Sequence, residues 1–283
     1  MLTTLDVVKR TTEFFAKHGI ESARLNAELI IAHALGVGRM QIYLQFEQPL
    51  GDAQLEKIRP LVRRRSQREP LAYVLGTAAF GDLTLKVDKR VLIPRPETEQ
   101  LVELIKEANP LPPAALLDLG TGSGALALAL AKIYPEARVV AVDASEDALA
   151  LARENAAVAG LDARVEFRAS DWFTAIGVEE LFSVIVANPP YLSDEDIATA
   201  APEVRDHEPR AALVSPDAGC ADLFKIIAAS PRHLAAGGGL FLETGIDQHP
   251  ALLAALADAG LAQPSSHQDW SGRNRFVSAR SSR

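Results

Sequence analysis

Asp118-Leu119-Gly120-Thr121-Gly122-Ser123-Gly124 separates an apolar run, Ala115–Leu119, from a helix-like segment, Ala125–Ile133. Three glycines at alternate positions let a backbone turn tightly and approach a ligand closely. The spacing is G-x-G-x-G, whereas dinucleotide sites use G-x-G-x-x-G. A carboxylate, Asp118, stands directly before the turn, and no Gly-Lys-Ser/Thr follows it, which argues against a phosphate-cradling loop.

Outward from this turn, strands and helices alternate. Segments 138–142, 164–169, Phe182–Ala187 and 239–243 read as strands, and 275–279 can supply a closing one. Helical spacing covers 145–159, roughly 221–234, and a final stretch through Leu252 and Ala257. Such alternation predicts an α/β domain, a mostly parallel sheet with helices on both faces. Ligands bind such sheets outside the carboxyl ends of the strands, near the topological switch point. Asp143 ends the second strand, where a carboxylate can accept from both ribose hydroxyls; a helix cap is the structural alternative. Ser170-Asp171-Trp172-Phe173 follows the third, and Trp172 is the candidate wall for an adenine.

Asn188-Pro189-Pro190-Tyr191 follows the fourth strand. Two prolines make a rigid loop. The Asn188 side-chain oxygen and the Pro189 carbonyl can each accept from a planar NH2 group, and Tyr191 offers it a flat face. An amide or aromatic amine is a poor nucleophile because its lone pair is delocalised. Gripping both its hydrogens aims that lone pair at an electrophilic methyl, so rate comes from positioning and desolvation. No His or Glu dyad is required, and a catalytic role for His207-Glu208 is disfavoured.

Residues 1–76 read as four or five short helices punctuated by Gly19, Gly36, Gly38 and Pro49-Leu50-Gly51. Residues 77–112 read as a hairpin around Gly81 and a linker carrying Pro94-Arg95-Pro96 and Pro110; the catalytic domain is then 113–283. Net charge is −8, unevenly placed: 1–88 carries +2 and the remainder −10. An acidic catalytic half disfavours stable nucleic-acid binding. Arg59, Arg63, Arg64, Arg65 and Arg68 form the one basic run, read as a solvated helix face or a docking patch for an acidic protein or RNA. The single cysteine, Cys220, excludes an internal disulfide and a multi-cysteine metal site, so no metal is expected. Neither a targeting segment nor a membrane span is visible, and a cytoplasmic location is expected.

The chain resembles the peptide chain release factor N(5)-glutamine methyltransferases along essentially its whole length. The resemblance is carried by Glu69-Pro70-Leu71-Ala72-Tyr73 with Gly76, Phe80-Gly81, Leu92-Ile93-Pro94-Arg95-Pro96-Glu97-Thr98-Glu99, Asp118 to Gly124, Asp171 to Phe173, Asn188 to Tyr191, and Glu208-Pro209. Asp206-His207 departs from relatives that carry an aromatic there. The resemblance implies a Rossmann-like class I methyltransferase domain with a seven-stranded sheet, a small all-α N-terminal domain that docks substrate, and a hairpin linker. The implied reaction moves a methyl group from S-adenosylmethionine, leaving S-adenosylhomocysteine, to the glutamine of the Gly-Gly-Gln tip of bacterial class I release factors. By position it places the cofactor at Gly120, Thr121, Gly122, Ser123, Gly124, Asp143, Trp172 and Asn188, and the glutamine at Asn188, Pro189, Pro190 and Tyr191, with Asn188, Pro189 and Tyr191 catalytic. The segment from Pro94 to Glu99 is expected to lie over the cofactor. Three alternatives stay open: a glutamine of a large-subunit ribosomal protein, a nucleobase amine, or a non-catalytic cofactor-binding protein.

Overall fold

The computed structural model describes residues 2–283, which form two compact units. The first comprises 2–77 and, from far downstream, 201–207; the second comprises 78–200 and 208–283.

The first unit holds helices α1 (Thr4–Lys17), α2 (Ala23–Leu35), α3 (Arg39–Leu44), α4 (Asp52–Ser66) and α5 (Leu71–Leu75). Thr3 caps α1 reciprocally with Asp6, and Gly36 ends α2 in the left-handed conformation that glycine adopts without strain. Its apolar faces close on two small cores, one around Val8, Ile31 and Ile42 and the other around Phe15, Ile30 and Val74.

The arginine run is a solvated helix face at Arg59 and Arg63 and something else at the other three. Arg65 is buried and donates to Asn26, to the Glu69 carbonyl and to Glu203, while Arg68 reaches Glu203 and the Gly19 carbonyl. Arg64 binds Glu69 at 2.5 Å. Three of the five arginines are thus internal ties, and only Arg59 and Arg63 are exposed.

The second unit begins with a two-stranded sheet, β1 (Thr77–Phe80) and β2 (Leu83–Lys86), joined through Gly81, followed by α6 (Pro96–Ala108). Strands β3 (Ala115–Leu119), β4 (Arg138–Asp143), β5 (Val165–Ala169), β6 (Phe182–Ala187), β7 (Leu234–Glu243), β8 (Ala262–Gln268) and β9 (Asn274–Arg280) build a sheet ordered β5-β4-β3-β6-β7-β9-β8. β3 pairs in parallel with both β4 and β6, and β9 alone runs against its neighbours. The chain therefore changes direction across the sheet at β3 and β6, the position where α/β sheets open a ligand crevice.

Side chains alternate between the two faces as strand geometry requires. Leu116, Val139, Ala141, Val184 and Val186 pack toward α6, α7 (Ala125–Ile133) and α8 (Glu146–Ala159). Leu117, Val140, Val142 and Ile185 pack toward α11 (Ala221–Ala229) and α12 (His249–Asp258). Full burial of each Leu, Val or Ile among them contributes roughly 1.5–3 kcal/mol.

Four details depart from the sequence reading. The helix expected to reach 234 stops at Ala229, because Pro231 converts the chain to a single 3-10 turn. Leu234 already belongs to β7, five residues earlier than expected. β8 gave no signal because it is a polar edge strand with Pro264 inside a register shift, which only an edge tolerates. Two short helices, α9 (Asp194–Thr199) and α10 (Pro202–His207), were also unforeseen. Among the described residues no helix is long and apolar enough to cross a membrane.

Candidate active site

The carboxyl ends of β3, β4 and β6 open on a cavity of about 330 Å³, within the range of small-molecule sites. Gly120, Thr121, Gly122 and Ser123 form its floor, with Asp143, Trp172, Asn188 and Pro190 around it.

The turn is shaped by its glycines and fixed by two carboxylates. Gly120 and Gly122 have φ of 72° and 55°. A Cβ on Gly120 would stand 3.3 Å from the Trp172 ring, so that glycine lets the indole close over the turn. Gly124 lies behind the cavity: at φ 84° it starts α7, and a Cβ there would press Leu128 and Ala152. Asp118 is buried beneath, accepting from the Thr121 hydroxyl at 2.7 Å and the Ala127 N–H at 3.1 Å, with Oδ1 unpartnered. Desolvation pushes its carboxyl up to about 7.

Asp143 accepts from the Gly122 N–H and the Ser145 N–H, each at 2.9 Å. Ser145 is the cap of α8, so Asp143 is free of that duty and orders the turn. Burial raises its carboxyl above the usual range. Trp172 adopts φ 49°, a conformation costly for a bulky residue. Ser170 holds the bend by donating to the Trp172 carbonyl, and Trp172 Nε1 donates to Asp222 at 3.3 Å.

Asn188 donates through Nδ2 to Thr98 Oγ1 at 3.1 Å, and its Oδ1 is buried without a partner. Among the described residues no backbone N–H donates to the Pro189 carbonyl. Pro190 lines the cavity whereas Pro189 and Tyr191 do not. Tyr191 instead turns to the core: its hydroxyl donates to Glu243 at 3.1 Å and Arg275 lies over its ring. Burial and the Glu243 charge raise its phenol above the ordinary value.

Several contributors were not singled out from the sequence. Thr98 and Pro94 reach the wall from the 94–99 segment, Asp222 from α11, and Arg90 from the linker, where it is paired with Asp88 and Glu154. Glu243 ends β7, buried, and its only signal was an acid closing an apolar strand. Glu208 accepts from the Ile93 N–H and from Arg95, anchoring the loop before Pro96. His207 belongs to the helical unit, with Nε2 3.3 Å from the Gln67 carbonyl, and does not line the cavity.

Residues 6–76 match the family model described as PrmC N-terminal domain, and 96–205 match the Methyltransferase small domain. Release factor glutamine methyltransferase of Geobacter sulfurreducens is 41% identical over 278 residues, 98% of this chain and 96% of its own. The Escherichia coli protein of that name is 39% identical over 260 residues, 92% and 93% of the two chains. Among solved structures, the hMettl16 catalytic domain in complex with an RNA hairpin aligns with a TM-score of 0.58 at 14% identity, covering 77% of this chain and 81% of its own. A Thermus thermophilus 16S rRNA N2 G1207 methyltransferase in complex with AdoMet and guanosine aligns at 0.52 and 20% identity, covering 72% and 49%. At these identities the two structures speak to the fold, and the full-length relatives to the family. The chain belongs to the release factor glutamine methyltransferase family.

Proposed function

We propose that the Asn188 oxygen and the Pro189 carbonyl grip the side-chain amide of a release-factor glutamine and aim its nitrogen at the methyl group of S-adenosylmethionine. The observation that carries this reading is the Asn188 oxygen itself. A buried acceptor without a partner costs about 1–3 kcal/mol, and a ligand N–H at the cavity removes that cost. The chain is a protein glutamine methyltransferase, and the Gly-Gly-Gln tip of the release factor is the acceptor we propose.

The residues of the cavity suit the cofactor. The Gly120–Gly122 backbone admits close approach, Asp143 retains acceptor capacity beside it, and Trp172 and Leu126 supply apolar walls. When bound, S-adenosylmethionine supplies a methyl on a positively charged sulfur. Asn188 and Pro189 then hold the amide hydrogens, favour a pyramidal nitrogen, and fix the line of approach as the N–C bond forms and the C–S bond breaks. Orientation of this kind contributes roughly 7–11 kcal/mol in favourable cases. The methylated nitrogen is acidic enough to lose its extra proton to water, so the site needs no strong base.

Mass spectrometry of a purified release factor incubated with enzyme and S-adenosylmethionine tests the proposal. One added methyl on the glutamine of the Gly-Gly-Gln tip, lost with Asn188→Ala, is expected. Labelling confined to a ribosomal protein or a nucleic acid overturns it.

A further inference from the structure

The direction in which Asn188 points is decided two residues away from it. Glu243 is 1% exposed and accepts through Oε2 from Thr98 Oγ1 at 2.7 Å and through Oε1 from the Tyr191 hydroxyl at 3.1 Å. Each Glu243 oxygen thus takes a hydrogen bond from a hydroxyl, and a hydroxyl has one proton to give. Arg275 Nη1 reaches the Tyr191 oxygen at 3.4 Å, and since Arg275 can only donate, the Tyr191 proton is left for Glu243. The Thr98 proton is likewise committed, so toward Asn188 the Thr98 oxygen can act only as an acceptor. It receives Nδ2–H at 3.1 Å.

This polarity matters because the two ends of an asparagine amide are nearly equal in size and their orientation follows from the surrounding hydrogen bonds. Turned the other way, Asn188 would set its oxygen against the Thr98 oxygen with no proton between them. It would also present an NH2 group to the cavity, where an incoming amide NH2 offers only donors. The wrong orientation is therefore penalised both inside the protein and at the substrate.

From this geometry we infer that Thr98 and Glu243 are positioning residues, a relay that turns the Asn188 carbonyl oxygen toward the acceptor amide. The relay joins the start of α6 to the end of β7, two rigid elements on either side of the acceptor loop. The inference rests on the glutamine-methyltransferase reading of the site and adds to it a device for selecting an NH2 donor.

Single-turnover methylation of a release factor by Thr98→Val, Thr98→Ser, Asn188→Ala and the Thr98→Val/Asn188→Ala double variant tests it, with cofactor dissociation constants measured alongside. Thr98→Val should slow the chemical step about 10²-fold, the scale of losing one preorganised polar contact, with cofactor affinity changed far less. Thr98→Ser keeps the hydroxyl and should recover most of that loss. Because Thr98 acts through Asn188, adding Thr98→Val to Asn188→Ala should cost nothing further. An equal loss from Thr98→Val in both backgrounds, an unchanged rate in Thr98→Val, or a Thr98→Ser as slow as Thr98→Val overturns the relay. If Thr98→Val fails to fold, the same comparison between Thr98→Ser and Thr98→Ala decides. Failure of the wild-type enzyme to methylate any release factor instead overturns the underlying reading, so the two failures are separable.

Discussion

Glu208 holds Arg95 from 113 positions away, accepting from its guanidinium at 2.6 Å through one oxygen and from the Ile93 N–H at 3.1 Å through the other. Both Leu92 and Pro94, which flank Ile93, line the cavity. A buried carboxylate thus pins the stretch of loop that lines the cavity and leads into Thr98. Glu208→Ala leaves Arg95 without its partner. A charged hydrogen bond of this kind contributes about 1.5–3 kcal/mol. Calorimetry should show a lower melting temperature and S-adenosylmethionine titration a weaker affinity, by about tenfold for each 1.4 kcal/mol of binding lost. Unchanged affinity would mean that the loop does not depend on this anchor.

Gly219 supports the loop of Asn188 to Tyr191 from behind. Its φ is 82°, and a Cβ built on it would lie 2.0 Å from the Tyr191 carbonyl oxygen and 2.7 Å from Gln248 Nε2, which itself donates to that carbonyl. The obstacle is backbone, which cannot move aside cheaply. Gly219→Ala should therefore displace Tyr191 and with it the rigid prolines before it. The expected result is a loss of methylation exceeding 10²-fold, in line with the sensitivity of rate to ångström-scale misplacement. The Gly36→Ala control has an unobstructed Cβ position and should retain activity.

How much of this was legible depended on whether a feature is contiguous in the chain. β3, β4, β6 and β7 declared themselves because central strands are apolar on both faces, and β5, at one edge, by alternating Val165, Phe167 and Ala169 with charged residues, while β8, at the other edge and interrupted by Pro264, reads as a loop. Gly120, Asp143, Trp172 and Asn188 each sit at a strand end within a compact motif, and they converge on one cavity. Thr98 and Glu208 lie in segments that the family resemblance marks, but their contacts, and the part played by Glu243, arise only through tertiary structure, so no local pattern announces those. Trp172 was legible as an aromatic but its left-handed backbone was not, since Ser170, whose hydroxyl holds the bend, does not by its type announce such a turn. Tyr191 shows the converse: a ring that suits a flat acceptor is drawn into the core by a buried acid 52 positions away.

The arginine run gives a prediction for the helical unit. Arg65 is nearly buried, and Glu203 supplies its countercharge at 2.9 Å while also holding Arg68 at 2.7 Å. Removing one partner of a buried pair strands the other charge, at about 3–5 kcal/mol. Glu203→Ala should thus lower the thermal stability of this unit markedly, whereas Arg63→Ala, at an exposed position, should leave it within about 0.5 kcal/mol. Equal effects in differential scanning calorimetry would show that the Arg65 pair contributes no more than surface charge.

Asp118 makes stability depend on pH. Its carboxyl is wholly desolvated under the glycine turn and pushed up to about 7, against an ordinary value near 3.8 in the unfolded chain. Between those values the folded protein holds a proton that the unfolded chain has released, so stability falls as pH rises through the window. The contribution is fully present below the lower value and lost above the upper one. At one unit per 1.36 kcal/mol the span corresponds to about 4 kcal/mol from Asp118, and Asp143 and Glu243, whose carboxyls burial also raises, steepen the decline further. Asp118→Asn keeps an oxygen for the Thr121 hydroxyl and the Ala127 N–H and places an NH2 at the unpartnered Oδ1 position. Denaturant titrations from pH 5 to 8 should show a shallower decline for the variant, with the two curves diverging most at pH 8, where the variant is the more stable relative to wild type. Parallel curves would mean that Asp118 keeps its charge when folded, and that the helix dipole of α7 above it offsets its burial.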